Sequence, residues 1–322
     1  MTFTVDSQVG AALMQMMEAA GDVTTPPAGD WQTRRATMEA TMAAWGAARP
    51  MPSDVTTVDY KASAADGTPI LLRWYSKQGR SDTGTPGPAV LYVHGGGMIH
   101  STVDLYAPVI GNYVSASGVP MLAVEYRRAP EHPHPTPVED SYTGLQWLAD
   151  HSAELGVDPA RIAVMGDSAG GGIAAGVALL ARDRGGPALA RQILVYPMLD
   201  DRTAVKAPDP AITPFLVWSN DDNITGWGAL LGERVGGADV PVYAAPARVA
   251  DPAGLPPTYI EVGTLDLFRD EDIEYARRLN AAAVPTELHV HPGVPHAFEA
   301  LAPGADVSMR STADRIRIIT SF

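Results

Sequence analysis

The sequence predicts an α/β protein: a mostly parallel, eight-stranded sheet flanked by helices. Three observations carry this. From Val55 onward, short apolar runs alternate with segments of helical period. The run Ile162–Met165 passes into a Gly/Ala-rich helical stretch through Gly166-Asp167-Ser168-Ala169-Gly170, a strand–turn–helix junction. The alternation breaks once, between Tyr196 and Thr258, as an insertion would break it.

At the start of the chain, Leu13, Met16, Met17 and Ala20 recur at helix spacing. Asp30 stands where it would cap a second helix bearing Met38, Met42 and Trp45, and Pro26-Pro27-Ala28-Gly29 separates the two. Such stripes ordinarily pack into a core. Because these precede the first strand, the alternative is a Met-rich lid over an apolar pocket. Val55–Tyr60 and Ile70–Tyr75, joined through Ala65-Asp66-Gly67, read as an antiparallel hairpin. Further strands are expected at Ala89–Val93, Met121–Tyr126, Ile162–Met165, Gln192–Tyr196, Thr258–Val262 and Thr286–Val290. Helices are expected near Asp104–Ala116, Val138–Leu155, Ala169–Arg182, Asp270–Ala283 and Asp306–Ile319. This is βαβ crossover, which gives parallel strands with helices on both faces. Ser81–Pro88 reads as a surface loop, and no internal repeat is present. In the insertion, Asp200–Thr213 is polar and irregular, then Pro214–Leu231 carries Phe215, Trp218 and Trp227. A segment of this kind lies above the C-terminal edge of a sheet, where ligands bind. Its aromatics are expected partly to line a pocket and partly to hold the insertion down.

A length of 322 residues with 46% apolar content leaves ample core. No apolar run is long enough to span a bilayer, and the first residues lack a basic signal-peptide region, so a cytoplasmic protein is expected. With no cysteine, disulfides, thiolate catalysis and cysteine metal sites are excluded. The formal charge of −14 argues against nucleic-acid partners and anionic membrane surfaces.

The chemistry begins at Ser168. Gly166 and Gly170 permit a sharp turn that leaves the hydroxyl exposed. A second motif, His94-Gly95-Gly96-Gly97, follows the strand Ala89–Val93. Backbone N–H groups in a glycine run can face a developing oxyanion, together with the N–H after the nucleophile, Ala169. A phosphate-cradling loop is the alternative, but the segment lacks Gly-Lys-Ser/Thr, and no dinucleotide Gly-x-Gly-x-x-Gly occurs. A serine needs a base, and the base an orienting carboxylate, following in the order Ser, acid, His on such a junction. Of eight histidines, only His289, His291 and His296 follow Ser168. His289 and His291 belong to a strand; His296 stands in the loop beyond it and is the assigned base, with His291 the runner-up. For the acid, Asp266 closes Thr258–Val262 at its C-terminal end. Asp270, Glu271 and Asp272 read as first-turn helix acids, and Glu261 is a weaker rival inside the strand.

These motifs, with Glu125-Tyr126-Arg127-Arg128-Ala129-Pro130-Glu131 and Asp266 followed by Arg269-Asp270-Glu271, make the chain resemble bacterial hormone-sensitive-lipase-like esterases. These are family IV of the bacterial lipolytic enzymes, within the α/β-hydrolase superfamily. The resemblance covers almost the whole chain. It implies an α/β-hydrolase fold with a helical cap made from residues 1–50 and 200–235, over a catalytic core of 51–199 and 236–322. It also implies a Ser168, Asp266, His296 triad and an oxyanion hole of the Gly96, Gly97 and Ala169 amides, supported by His94, Gly95, Gly166, Asp167 and Gly170. The implied activity is hydrolysis of short- to medium-chain acyl esters, with a small-molecule ester as partner and without metal or cofactor. Amides, carbamates or lactones on the same site are the alternative, and a non-catalytic ligand-binding homologue a further one. Relatives often dimerise, but no surface strip in the sequence decides this. The chain departs from the family pattern at Met98-Ile99-His100 and at Asp266-Leu267, where an aromatic residue and an Asp-Pro are common.

Overall fold

Eight strands form one sheet in the computed structural model, which describes residues 3–20, 25–79, 85–207 and 209–322. They are β1 (Val55–Ser63), β2 (Pro69–Lys77), β3 (Gly87–Val93), β4 (Met121–Val124), β5 (Val157–Asp167), β6 (Arg191–Val195), β7 (Thr258–Gly263) and β8 (Thr286–His291). Their spatial order is β1-β2-β4-β3-β5-β6-β7-β8. Only β2 runs against its neighbours; every other pairing is parallel.

Alternate side chains of the central strands enter two cores. Leu91, Val93, Leu122, Val124, Val164 and Leu194 pack on one face with helices α4 (Thr136–Asp150) and α5 (Ala169–Arg184). Val90, Tyr92, Met121, Ala123, Met165 and Ile193 pack on the other with α3 (Val103–Ser117) and α9 (Asp306–Ile319). Burial on both faces is why these strands read as continuous apolar runs rather than alternating ones.

The expected elements are found, with shifted ends. β5 begins at Val157 because Val157 pairs with Gly87 of β3. α4 begins at Thr136, with Pro137 in its first turn where no N–H is needed, and ends at Asp150. Residues 81–84 of the loop expected at Ser81–Pro88 lie outside the described residues, and its end, Gly87-Pro88, belongs to β3. Helix α6 (Asn220–Leu231) carries Trp227 and opens on a reciprocal cap between Ser219 and Asp222, a sequence signal that the aromatic spacing obscures.

The N-terminal helices α1 (Ser7–Ala20) and α2 (Trp31–Ala48) do not behave as core stripes. Asp30 caps α2 through Thr33 N, as expected. Yet Arg34 is the buried residue of α2, while Met38, Met42 and Trp45 are half-buried. On α1, Met16 is exposed, and Val9 joins a small cluster with Val294 and Phe298. The Met17 and Ala20 side chains lie outside those described. Among the described residues, no helix is long and apolar enough to cross a membrane.

Candidate active site

β5 ends at Asp167 and α5 (Ala169–Arg184) begins at Ala169, so Ser168 alone makes the turn, at φ 55° and ψ −125°. The flanking glycines are needed there. A Cβ on Gly166 would overlap the Gly170 carbonyl, and one on Gly170 would overlap the carbonyls of Val93 and His94. The turn therefore packs against the end of β3 with no room for side chains.

Asp266 and His296 come from the loops after β7 and β8, and backbone bonds stitch these loops together. Thr264 N donates to His291 O (2.9 Å) and Leu265 N to Val294 O (3.0 Å). Gly293 N donates to Thr264 Oγ1 (2.8 Å). The result brings three expected residues into one line. His296 Nδ1 lies 2.7 Å from Asp266 Oδ2, and His296 Nε2 lies 2.9 Å from Ser168 Oγ. A carboxylate can only accept, so Nδ1 carries the proton and Nε2 is free to accept from the serine hydroxyl. Phe268 N donates to the other oxygen of Asp266 (3.0 Å). Asp266 is fully buried, and Ser168 and His296 are each 7% exposed. Burial pulls the His296 pKa down, but the charge and hydrogen bond of Asp266 outweigh it and raise it above 6.5. The rings of Tyr196 (4.6 Å) and Phe268 (5.2 Å) meet the imidazole edge-on.

The rivals have other partners. Glu261 sits in a buried network with Arg315 Nε (2.6 Å), Ser311 Oγ and Tyr259 OH (2.6 Å). Burial pushes its pKa up, yet the Arg315 charge holds it down to about 2. His291 Nε2 faces Glu261 at 3.4 Å, and His289 pairs with Glu287 at 2.8 Å. Asp270, Glu271 and Asp272 do occupy the first turn of α7 (Arg269–Ala281), but Glu271 also accepts from Leu199 N (2.7 Å) and Asp200 N (3.1 Å). It thereby ties the start of the insertion to α7, a role that sequence distance conceals. Among the described residues, the one His/acid group with metal-ligand spacing is Glu287, His289 and Asp314; Arg317 pairs with both of its carboxylates, which leaves little charge for a cation.

The glycine loop is braced from below. Tyr92 OH (2.8 Å) and Tyr106 OH (2.7 Å) donate to Asp167; burial raises the pKa of this carboxyl and the two bonds oppose the rise. A Cβ on Gly95 would collide with Tyr106 OH and Asp167. His94 Nδ1 bonds Gly95 O (2.8 Å), and its ring stacks on Tyr126, whose hydroxyl donates to His94 O (3.0 Å). Burial lowers the His94 pKa to about 4, so the ring is neutral. Gly96 and Gly97 take φ of 117° and 57°. Among the described residues, the N–H groups of Gly96, Gly97 and Ala169 donate to no protein acceptor. The Glu125–Glu131 motif continues the brace. Glu125 accepts from Val103 N (2.6 Å), Arg127 pairs with Asp140 (2.8 Å), and Arg128 pairs with Glu39 of α2 (2.5 Å). From the same helix, Arg35 pairs with Glu131 (2.5 Å) and donates to Ile99 O (2.5 Å).

Of the insertion's aromatics, Trp218 and Trp227 are buried in the same core and Phe215 is half-buried. The Trp218 indole also covers Gly97, where a Cβ would overlap it.

A family model described as alpha/beta hydrolase fold matches residues 90–300. The chain belongs to that family. Within the α/β hydrolases it is a member of the hormone-sensitive-lipase-like esterases, and an enzyme of the carboxylesterase class. It is 37% identical over 242 residues to esterase LipI of Mycobacterium tuberculosis, covering 75% of this chain and 74% of that one. It is 30% identical over 303 residues to the ethyl acetate hydrolase of Pseudomonas putida, covering 89% and 90%. Among solved structures, a bacterial heroin esterase superposes with a TM-score of 0.87 at 37% identity, over 98% of this chain and 97% of the other.

Proposed function

We propose that this α/β hydrolase cleaves short- to medium-chain acyl esters through an acyl-enzyme on Ser168. The observation that carries the reading is the pair of bonds made by one ring, His296 Nδ1 to Asp266 and Nε2 to Ser168.

In this mechanism Ser168 Oγ attacks the ester carbonyl while His296 Nε2 takes its proton, and Asp266 holds the tautomer and stabilises the imidazolium. The carbonyl oxygen becomes an oxyanion that accepts from the Gly96, Gly97 and Ala169 N–H groups. Losing one such donor typically costs about 10²- to 10³-fold in rate. The tetrahedral adduct collapses: the C–O bond to the alcohol breaks, and the alcohol leaves with the proton from His296. Water then gives its proton to His296 Nε2 as it attacks the acyl carbonyl; the C–Oγ bond to Ser168 breaks, His296 returns the proton to Ser168 Oγ, and the acid leaves. His94 and Asp167 touch no reacting atom; they hold the glycine loop and the turn in register.

Residues 1–50 and 200–235 act as a cap over a core of 51–199 and 236–322. Two contacts support this division: Arg34 Nε pairs with Asp222 Oδ1 (2.6 Å), and Gly29 N donates to Thr225 Oγ1 (2.9 Å). Both join the N-terminal part to α6 rather than to the sheet. The esterase and acetate-ester names of the relatives support an ester substrate.

The experiment is hydrolysis of p-nitrophenyl butyrate by parent and Ser168→Ala. The parent turns over and the variant falls to background. A variant as fast as the parent would remove Ser168 from the mechanism.

A further inference from the structure

The reacting ester has two sides, and the site geometry distinguishes them. The leaving alcohol oxygen must receive its proton from His296 Nε2, so the alcohol group lies beside the imidazole. Tyr196 and Phe268 pack edge-on against that imidazole and fix its position. The acyl group must then extend to the other side of the oxyanion, along the glycine loop.

That side is closed by one large residue. The Trp218 indole lies against Gly97 and is 8% exposed. Its ring neighbour is His100 (6.4 Å between centroids), and its Nε1 donates to Asn223 Oδ1 (3.4 Å). The approach is built in, because a Cβ on Gly226 of α6 would come within 2.8 Å of Gly97 O. A glycine at 226 therefore lets α6 press close to the loop and seat the indole there. The residue after Gly97, Met98, lines a small apolar cleft with Val138, Ile173 and Leu230.

We propose that Trp218 is the specificity-determining residue for the acyl group: it limits the length of acyl chain the site accepts by occupying the space over Gly97. The inference rests on Ser168 being the nucleophile. A wall of this kind acts on the ratio of substrates rather than on the chemistry itself, since an apolar pocket discriminates by the volume it leaves open.

The test is kcat/KM for p-nitrophenyl acetate, butyrate and octanoate with parent, Trp218→Ala and Trp218→Leu. Acetate esters of small and bulky alcohols form the control series. The octanoate-to-acetate ratio should rise by at least about tenfold in Trp218→Ala and by less in Trp218→Leu, while the alcohol preference stays as in the parent. An unchanged acyl ratio in either variant, with circular dichroism showing it folded, overturns the proposal. So does an alcohol preference that shifts as far as the acyl one, which would mean general loosening. If Trp218→Ala does not fold, the milder Trp218→Leu decides alone. A parent that cleaves no ester would overturn the Ser168 reading and this inference together; an active parent with an unmoved ratio overturns only this one.

Discussion

Ser168 holds a backbone conformation that costs a non-glycine residue on the order of 1–3 kcal/mol, and the glycines at 166 and 170 are what let the surroundings impose it. The strain fits the role, because it lifts the hydroxyl out of the turn toward His296. The histidine carries the clearest residue-scale prediction. Only the neutral ring accepts the serine proton, and the Asp266 carboxylate raises the pKa of this ring above 6.5 despite burial. The acid limb of kcat/KM against pH should therefore have its midpoint above 6.5, with activity lost as pH falls through it. Stability runs the other way. The charged ring paired with Asp266 adds stability that is fully present below pH 6.5 and is lost as pH rises through the raised value. A limb centred at or below 6.5 would contradict the assignment.

At the scale of elements, the site is made by loops that the sheet brings to one edge. The β7 and β8 loops carry the acid and base, the β5–α5 junction the serine, and the β3 loop the glycines. Helix α2 grips the glycine loop through Arg35 and Glu39, and grips α6 through Arg34. Arg34 is nearly buried, and besides Asp222 it donates to Pro27 O and Pro26 O, both at 2.6 Å. A partly buried, multiply bonded pair of this kind is worth more than a surface ion pair. Arg34→Ala and Asp222→Ala, taken singly and together through urea unfolding, should show a coupling energy on the order of 1 kcal/mol or more. Strict additivity would mean that the two helices are not joined there.

Across the whole molecule, what could be read from sequence was what backbone geometry dictates locally. The central strands were legible because burial on both faces writes them as apolar runs. Ser168 and the glycine loop were legible because only glycine fits the approaches at 95, 166 and 170. His296 followed from chain order and loop position. The rest depends on meetings across long separations. Glu261 and Arg315 lie on β7 and α9, so the strand acid could not be assigned to its arginine in advance. The seating of Trp218 on Gly97 requires α6 to return to the loop after β3, and no periodicity announces that. Amphipathic spacing likewise suggested a core stripe on α2, where packing buries an arginine instead. The central claim is that one serine, activated by one histidine, performs the turnover. Titration with a p-nitrophenyl phosphonate tests it most directly, reading released nitrophenol, residual esterase activity and the labelled peptide on the same sample. The account predicts one equivalent bound per chain, all of it on Ser168, with activity falling in proportion and no labelling in His296→Ala. Full phosphonylation of Ser168 with activity intact would contradict it.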